Sequence, residues 1–181
     1  DHGFGIGEKA YLFKNALWEE SSRVPMLIRA PGVSVAGGRA RAPVSLIDLF
    51  PTLVDLCDLE GDTRLNNKGR PLDGFSLRPL LEDPAAGDWS GPEASLTMLH
   101  ADEEAAQPLA EADYSDPTRQ HWSLRSADWR YIRYNNGREE LYDHRTDPHE
   151  WHNIADDPES AAVLARFRAM LERRVGVNTG E

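Results

Sequence analysis

Cysteine is almost missing from this sequence. The single Cys57 excludes an intrachain disulfide, and its place in an apolar helical pattern makes it a small buried hydrophobe by default. Long apolar runs are missing too. No stretch approaches the roughly 20 residues that a membrane-spanning helix requires. Positive charge is in the minority, with 20 basic against 31 acidic residues and a net charge of −11. Such a chain repels polyanions at long range, which argues against nucleic-acid binding, and an anionic ligand would need a local basic pocket. The first residues carry no basic start followed by an apolar middle and a small-residue cleavage site. That absence says nothing about compartment.

What is present fits a globular protein. In 181 residues, 40% are hydrophobic and 28% charged, enough for one domain with a core or a small domain plus an appendage. The run "VPMLIRA" at 24–30, with Pro25 near its start and Pro31-Gly32 behind it, predicts one buried strand. "SLIDLFPTLVDLCDL" has apolar residues at 46, 49, 50, 53, 54, 56 and 57, a helical spacing. Pro51 fits only its first turn, so Asp48 is the expected N-cap. "FSLRPLLED" repeats the pattern with Ser76 as cap, and the polar loop "EGDTRLNNKGRPLDG" separates the two.

The texture then changes. Residues 83–91 read as a connector, 94–100 as a strand, and the acidic, alanine-rich stretch 101–120 as a long loop. "HWSLRSADWRYIRYNNGREELYDH" holds three short aromatic and β-branched runs, with Asn136-Gly137 as a type I′ hairpin signal. An antiparallel meander follows. After Asp157-Pro158, apolar positions 162, 163, 164, 167, 170 and 171 predict a capped amphipathic helix over about 158–174, covering one face of that meander. Two unlike pieces result, 1–92 and 93–181. One buried strand with a helix or two cannot cover both of its own faces, so the expected sheet partners of 24–30 lie outside this chain.

Several polar groups invite a chemical reading. Asp1 and His2, followed by Gly3, can turn two ligands toward one metal, although a single carboxylate and imidazole make no site by themselves. Gly5 and Gly7 permit a tight loop beside Lys9 and Lys14. Arg130, Arg133 and Arg138 read as one solvated strand face balanced by Glu139 and Glu140. "YDHRTDPHEWHN" has three histidines, but in a spacing unlike zinc sites. Glu19, Glu20 and Arg23 read as weak helix-surface pairs.

The string "DHGFGIGEKAYLFKNALWEESSRVPMLIRAPG" resembles the stretch opening the C-terminal part of sulfatases of the alkaline-phosphatase-like superfamily. "SLIDLFPTLVDLCDL", "DGFSLRPLLED" and "LRSADWRYIRYNNGREELYDHRTDPHEWHNIADDPE" extend that resemblance in order. It covers most of the chain except about 101–120 and is of the iduronate-sulfatase-like or choline-sulfatase-like kind. The implied fold is the edge of an α/β core over 1–92, then a small antiparallel sheet packed on a C-terminal helix over 93–181.

The resemblance also implies roles. Asp1 and His2 would be calcium ligands, His2 being the softer donor. Lys14, better matched than Lys9, would bind the sulfate where negative charge gathers. His121, before the sheet, is a candidate substrate contact. The formylglycine nucleophile of such enzymes comes from a C/S-x-P-S-R motif, which this sequence lacks, since Cys57 is followed by Asp58-Leu59-Glu60. The expectation is therefore a C-terminal portion that needs the N-terminal half of the same enzyme and does not turn over by itself. A sulfated saccharide is favoured as substrate, and a periplasmic or extracellular setting follows from the resemblance only. The rivals are a phospho- or phosphonate-ester hydrolase of the same superfamily and a noncatalytic binding domain.

Overall fold

The computed structural model describes residues 5–12, 14–64, 66–85, 88–100 and 116–176. Two compact units form, one from residues up to Val24 together with Leu96–Glu181, the other from Pro25–Ser95.

The first unit is built on a four-stranded sheet in the order β1-β2-β3-β4: Ser95–His100, Gln120–Arg125, Trp129–Arg133 and Glu139–Asp143. β2 pairs antiparallel with β3, placing Ser123 opposite Ile132. β3 pairs antiparallel with β4, placing Arg130 opposite Tyr142. Side chains alternate between the faces of a strand. Tyr131 and Leu141 therefore share one face with Leu124, while Arg130, Ile132, Glu140 and Tyr142 share the other with Ser123 and Arg125.

The C-terminal helix covers the first of these faces. Asp157 accepts a hydrogen bond from the Glu159 amide at 2.9 Å and caps a 3-10 turn at Pro158–Ser160, which leads into the helix Ala161–Val175. Leu164, Phe167, Met170 and Leu171 are buried at helical spacing, and the Phe167 ring lies 6.0 Å from that of Tyr131. Arg168 adds an ion pair to Glu139. On the opposite face, Leu17 packs with Ile132 and Tyr142, and Trp18, Leu99 and Tyr134 close around them. The sheet is thus layered between a helix and the segment around Leu17.

The hairpin between β3 and β4 differs from the type I′ turn expected at Asn136-Gly137. Gly137 has φ 84°, but Asn136 stays at negative φ. The Gly137 amide donates to the Tyr134 carbonyl, and the Tyr134 amide to the Arg138 carbonyl. One left-handed residue after an ordinary turn is the three-residue loop with a bulge. The Asn136 side chain accepts from the Arg138 amide at 3.0 Å, which is its contribution to the turn.

The second unit is held by polar staples. A 3-10 turn at Leu46–Asp48 runs into the helix Leu49–Leu56, and a short helix follows at Arg78–Glu82. Asp48 is 3% exposed. Its carboxylate accepts from the amides of Ser45 (2.7 Å) and Phe75 (2.9 Å). Thr52 donates to the Asp48 carbonyl at 2.5 Å and accepts from the Leu77 amide at 2.8 Å. Asp55 receives Ser76 at 2.5 Å and Arg78 at 3.0 Å. Cap formation thus begins at Ser45, and Asp48 acts chiefly as a tie to the Phe75 segment.

Two expectations fail in this unit. Residues 24–30 form no strand: no neighbour supplies a hydrogen-bonding ladder among the described residues, and Leu27 is 91% exposed. The helix also turns its apolar stripe outward, because Asp48 and Thr52 hold the inner side. Leu46, Leu49, Phe50, Leu53 and Cys57 are all exposed, so Cys57 is a surface thiol and not a core residue.

Candidate functional site

Residues 17–19 reach the sheet through charged groups buried on it. Arg130, 2% exposed, donates from Nη1 to the Leu17 carbonyl at 2.9 Å and to Ser123 Oγ at 2.8 Å. Its Nε donates to Glu150 Oε1 at 2.5 Å and its Nη2 to Glu19 Oε2. Arg125 Nε donates to the same Glu19 oxygen at 2.9 Å, and the Glu19 amide donates to Glu150 Oε2 at 2.8 Å. His144 completes the group, with Nδ1 at 2.9 Å from Arg125 and Nε2 at 2.8 Å from Glu150. Burial pushes the Glu19 carboxyl up, but Arg125 and Arg130 outweigh it and hold the group at about 2.

The turn after β4 delivers Glu150 into this group. Asp147 accepts the amides of Trp151 (3.0 Å) and His152 (2.8 Å), and Glu150 takes a left-handed φ of 59° that points it inward. Asn153 then borders β4, accepting the Leu141 amide at 2.9 Å and donating to the Glu139 carbonyl at 3.1 Å. The motif "YDHRTDPHEWHN" forms this turn after β4. Its histidines go separate ways: His144 joins the cluster, while His149 stacks on exposed Trp151 with ring centroids 5.0 Å apart.

Glu19, His144 and Glu150 bring three possible metal ligands within 4.8 Å of one another. Two guanidinium groups already occupy their lone pairs, so the donor set suits an ion-pair cluster and not a dication. The solvated-face reading of Arg130 and the weak-pair reading of Glu19 are overturned here. Arg130 and Arg133 lie three positions apart and therefore on opposite faces. Arg23 does approach Glu19 at 3.6 Å, but Glu19 is turned into the protein toward Arg125 and Arg130. An arginine flanked by Trp129, Tyr131 and Ile132 was the available signal for burial with a partner.

Beside this cluster lies an aromatic one. Lys9 donates to Tyr142 Oη at 3.1 Å and to the Glu150 carbonyl, and its ammonium sits 5.1 Å from the Trp18 ring centroid and 4.5 Å from that of Tyr142. Glu140 accepts from Trp18 Nε1 (2.7 Å), Tyr142 (2.8 Å) and Tyr134 (3.1 Å). Burial and this carboxylate push both phenols above their ordinary range. Lys9 is consequently a structural lysine.

Lys14 lies in the loop between these anchors, partly buried, its carbonyl accepting the Ala16 amide at 2.8 Å. Tyr11 braces the loop by donating to the Asn15 carbonyl at 2.8 Å and packing edge-on to Trp18 at 5.8 Å. His121 opens β2. Its Nδ1 accepts the Asn135 amide at 3.0 Å, its ring meets Tyr134 edge-on at 5.2 Å, and burial lowers its pKa. An Nδ1 that accepts leaves Nε2–H as a donor. Asp1 and His2 lie outside the described residues.

The profile of N-sulphoglucosamine sulphohydrolase C-terminal regions matches residues 7–176. The chain belongs to this sulfatase family. It is 32% identical to the choline-sulfatase of Rhizobium meliloti over 94% of this chain and 29% of that protein. It superposes on BT4656, solved in complex with its substrate D-glucosamine-2-N,6-O-disulfate, with TM-score 0.72 and 27% identity over 94% of this chain and 32% of that one. The phosphonate monoester hydrolase of Silicibacter pomeroyi gives TM-score 0.71 and 30% identity over 98% and 34%. This sulfatase-family chain thus spans 29% to 34% of the length of these relatives. Its four-stranded sheet with a terminal helix is the C-terminal region of an alkaline-phosphatase-like fold.

Proposed function

We propose that this chain is the C-terminal part of an enzyme that hydrolyses sulfate monoesters, with a sulfated saccharide as substrate. The observation that supports it most is family membership over residues 7–176, joined to the likeness to a protein solved with a sulfated glucosamine. In this reading residues 1–92 are the edge of the α/β core and 93–181 the smaller subdomain. The exposed stripe of Leu46, Leu49, Phe50 and Leu53 would be covered by the N-terminal half of the same enzyme.

Lys14 binds the sulfate. Lys14 matches the sulfate-binding lysine of the family better than Lys9, which contacts Trp18, Tyr142 and the Glu150 carbonyl. Its charge would stabilise the oxygens that gain negative charge as the ester bond breaks. His121 would donate its Nε2–H to the substrate and not act as a base, because Nδ1 already accepts a backbone amide. Asp1 and His2 would hold calcium, which when bound neutralises the sulfate's charge. A formylglycine nucleophile would come from the N-terminal half, so the 181-residue chain by itself would not turn over.

The test is sulfate release by the complete gene product containing this chain, with D-glucosamine-2-N,6-O-disulfate and choline sulfate as substrates and Lys14→Ala as the variant. A second reading, hydrolysis of a phosphonate monoester, has the support of the Silicibacter pomeroyi neighbour at 30% identity. A phosphonate monoester in the same assay separates the two.

A further inference from the structure

The segment 9–19 is a loop whose two ends are tied to one residue. Lys9 Nζ donates to the Glu150 carbonyl, and the Glu19 amide donates to Glu150 Oε2 at 2.8 Å. Lys14 stands midway between them in sequence. A second route joins the same ends: Lys9 donates to Tyr142 Oη at 3.1 Å, Tyr142 to Glu140 Oε2 at 2.8 Å, and Trp18 Nε1 to that same oxygen at 2.7 Å. The Lys9 ammonium also lies 5.1 Å from the Trp18 ring centroid. Arg130 does not duplicate these ties. It holds the Leu17 carbonyl and the Glu19 carboxylate, so it secures the far end, and Lys9 is what draws the near end in.

The backbone bends to make this closure. Among the described residues the non-glycine positions with positive φ are Lys9 (55°), Ala10 (56°), Asp58 (48°) and Glu150 (59°), and three of these four belong to the clasp. A left-handed conformation is uncommon for such residues and persists only where surrounding contacts over-determine it, most often at functional sites. Inside the loop, Tyr11 donates to the Asn15 carbonyl at 2.8 Å and meets the Trp18 ring edge-on. A short loop tied at its base and braced within passes any slack at the base on to residue 14.

We propose that Lys9 and Glu150 are positioning residues, which close the loop 9–19 at its base and so fix Lys14 for the sulfate. Neither touches the substrate; both act through Lys14. The closure stands on the contacts just given, while the part played by Lys14 rests on the function proposed above. Such positioning sets rate, since a misplacement of about 1 Å at a reacting group can cost about a hundredfold.

The experiment is a double-mutant cycle in the complete gene product, read as kcat/KM for sulfate release from D-glucosamine-2-N,6-O-disulfate. Lys9→Met removes the near-end ties and leaves the buried Arg130 cluster whole. Glu150→Gln keeps the carbonyl but has one side-chain oxygen left for the Glu19 amide and Arg130 together. Each variant should lower kcat/KM at least about tenfold beside an intact Lys14, and less than about twofold in a Lys14→Ala background. Phe167→Ala, on the other face of the sheet, controls for lost stability, and its factor should be the same in both backgrounds. Hydrogen exchange of peptides spanning 9–19 should accelerate at least about tenfold in Lys9→Met. Equal factors for Lys9→Met in the two backgrounds, or unchanged exchange, would overturn the proposal, and this variant decides alone where Glu150→Gln does not fold. Failure of the sulfatase reading would appear separately, as release absent from the wild type or undiminished by Lys14→Ala. That result removes the part given to Lys14, and the exchange rates then decide the closure.

Discussion

Arg130 joins three parts of the sequence, since Leu17, Glu19, Ser123 and Glu150 all meet one guanidinium. Arg130→Met keeps the volume but leaves two buried carboxylates short of a partner, and should cost about 3–5 kcal/mol in urea unfolding. An unchanged midpoint would show that the cluster is not charged as described. Glu19 gives the pH counterpart. Its carboxyl is held near 2 in the folded chain against an ordinary 4.5, so its stabilisation is complete above 4.5 and disappears as pH falls toward 2. That shift corresponds to roughly 3 kcal/mol. Wild-type stability should therefore climb with pH across this window, and Glu19→Gln, measured by denaturant titration at each pH, should flatten the climb.

At the scale of elements, the pattern of apolar residues was enough for the meander and the terminal helix, because both bury their faces within this chain. Phe167→Ala, at the centre of that helix, should cost about 3–5 kcal/mol, read from thermal unfolding. The pattern misled where the burying surface lies elsewhere or the inner face is polar. Residues 24–30 have strand composition but no ladder, and the stripe at 46, 49, 50 and 53 points outward because Asp48 and Thr52 tie the other side to residues 75–77. Gly74 marks that tie. A Cβ there would stand 2.2 Å from the Ile47 carbonyl oxygen, so Gly74→Ala must push the Phe75 segment off the helix. A loss of about 1–3 kcal/mol in the melting of this unit is expected, and a neutral result would mean that the approach is looser than described. The charged cluster was the least legible part, since Glu19, Arg130 and Glu150 are far apart in sequence and look like surface residues until strand alternation turns Arg130 inward.

For the whole molecule, the chain supplies about a third of the length of its relatives, and its sulfatase-family membership is the firm statement on which a function can be built. Lys9 packs against the Trp18 and Tyr142 rings, whereas the proposed role of Lys14 is to bind the sulfate. Lys9→Met should lower the melting temperature through loss of the Trp18, Tyr142 and Glu150 contacts. The measurement that tests the account most directly is kcat/KM for sulfate release from D-glucosamine-2-N,6-O-disulfate by the complete gene product, wild type against Lys14→Ala. The account predicts release by the wild type and a fall of at least about a hundredfold in the variant. Undiminished release by Lys14→Ala, or hydrolysis of a phosphonate monoester in place of the sulfate, would contradict it.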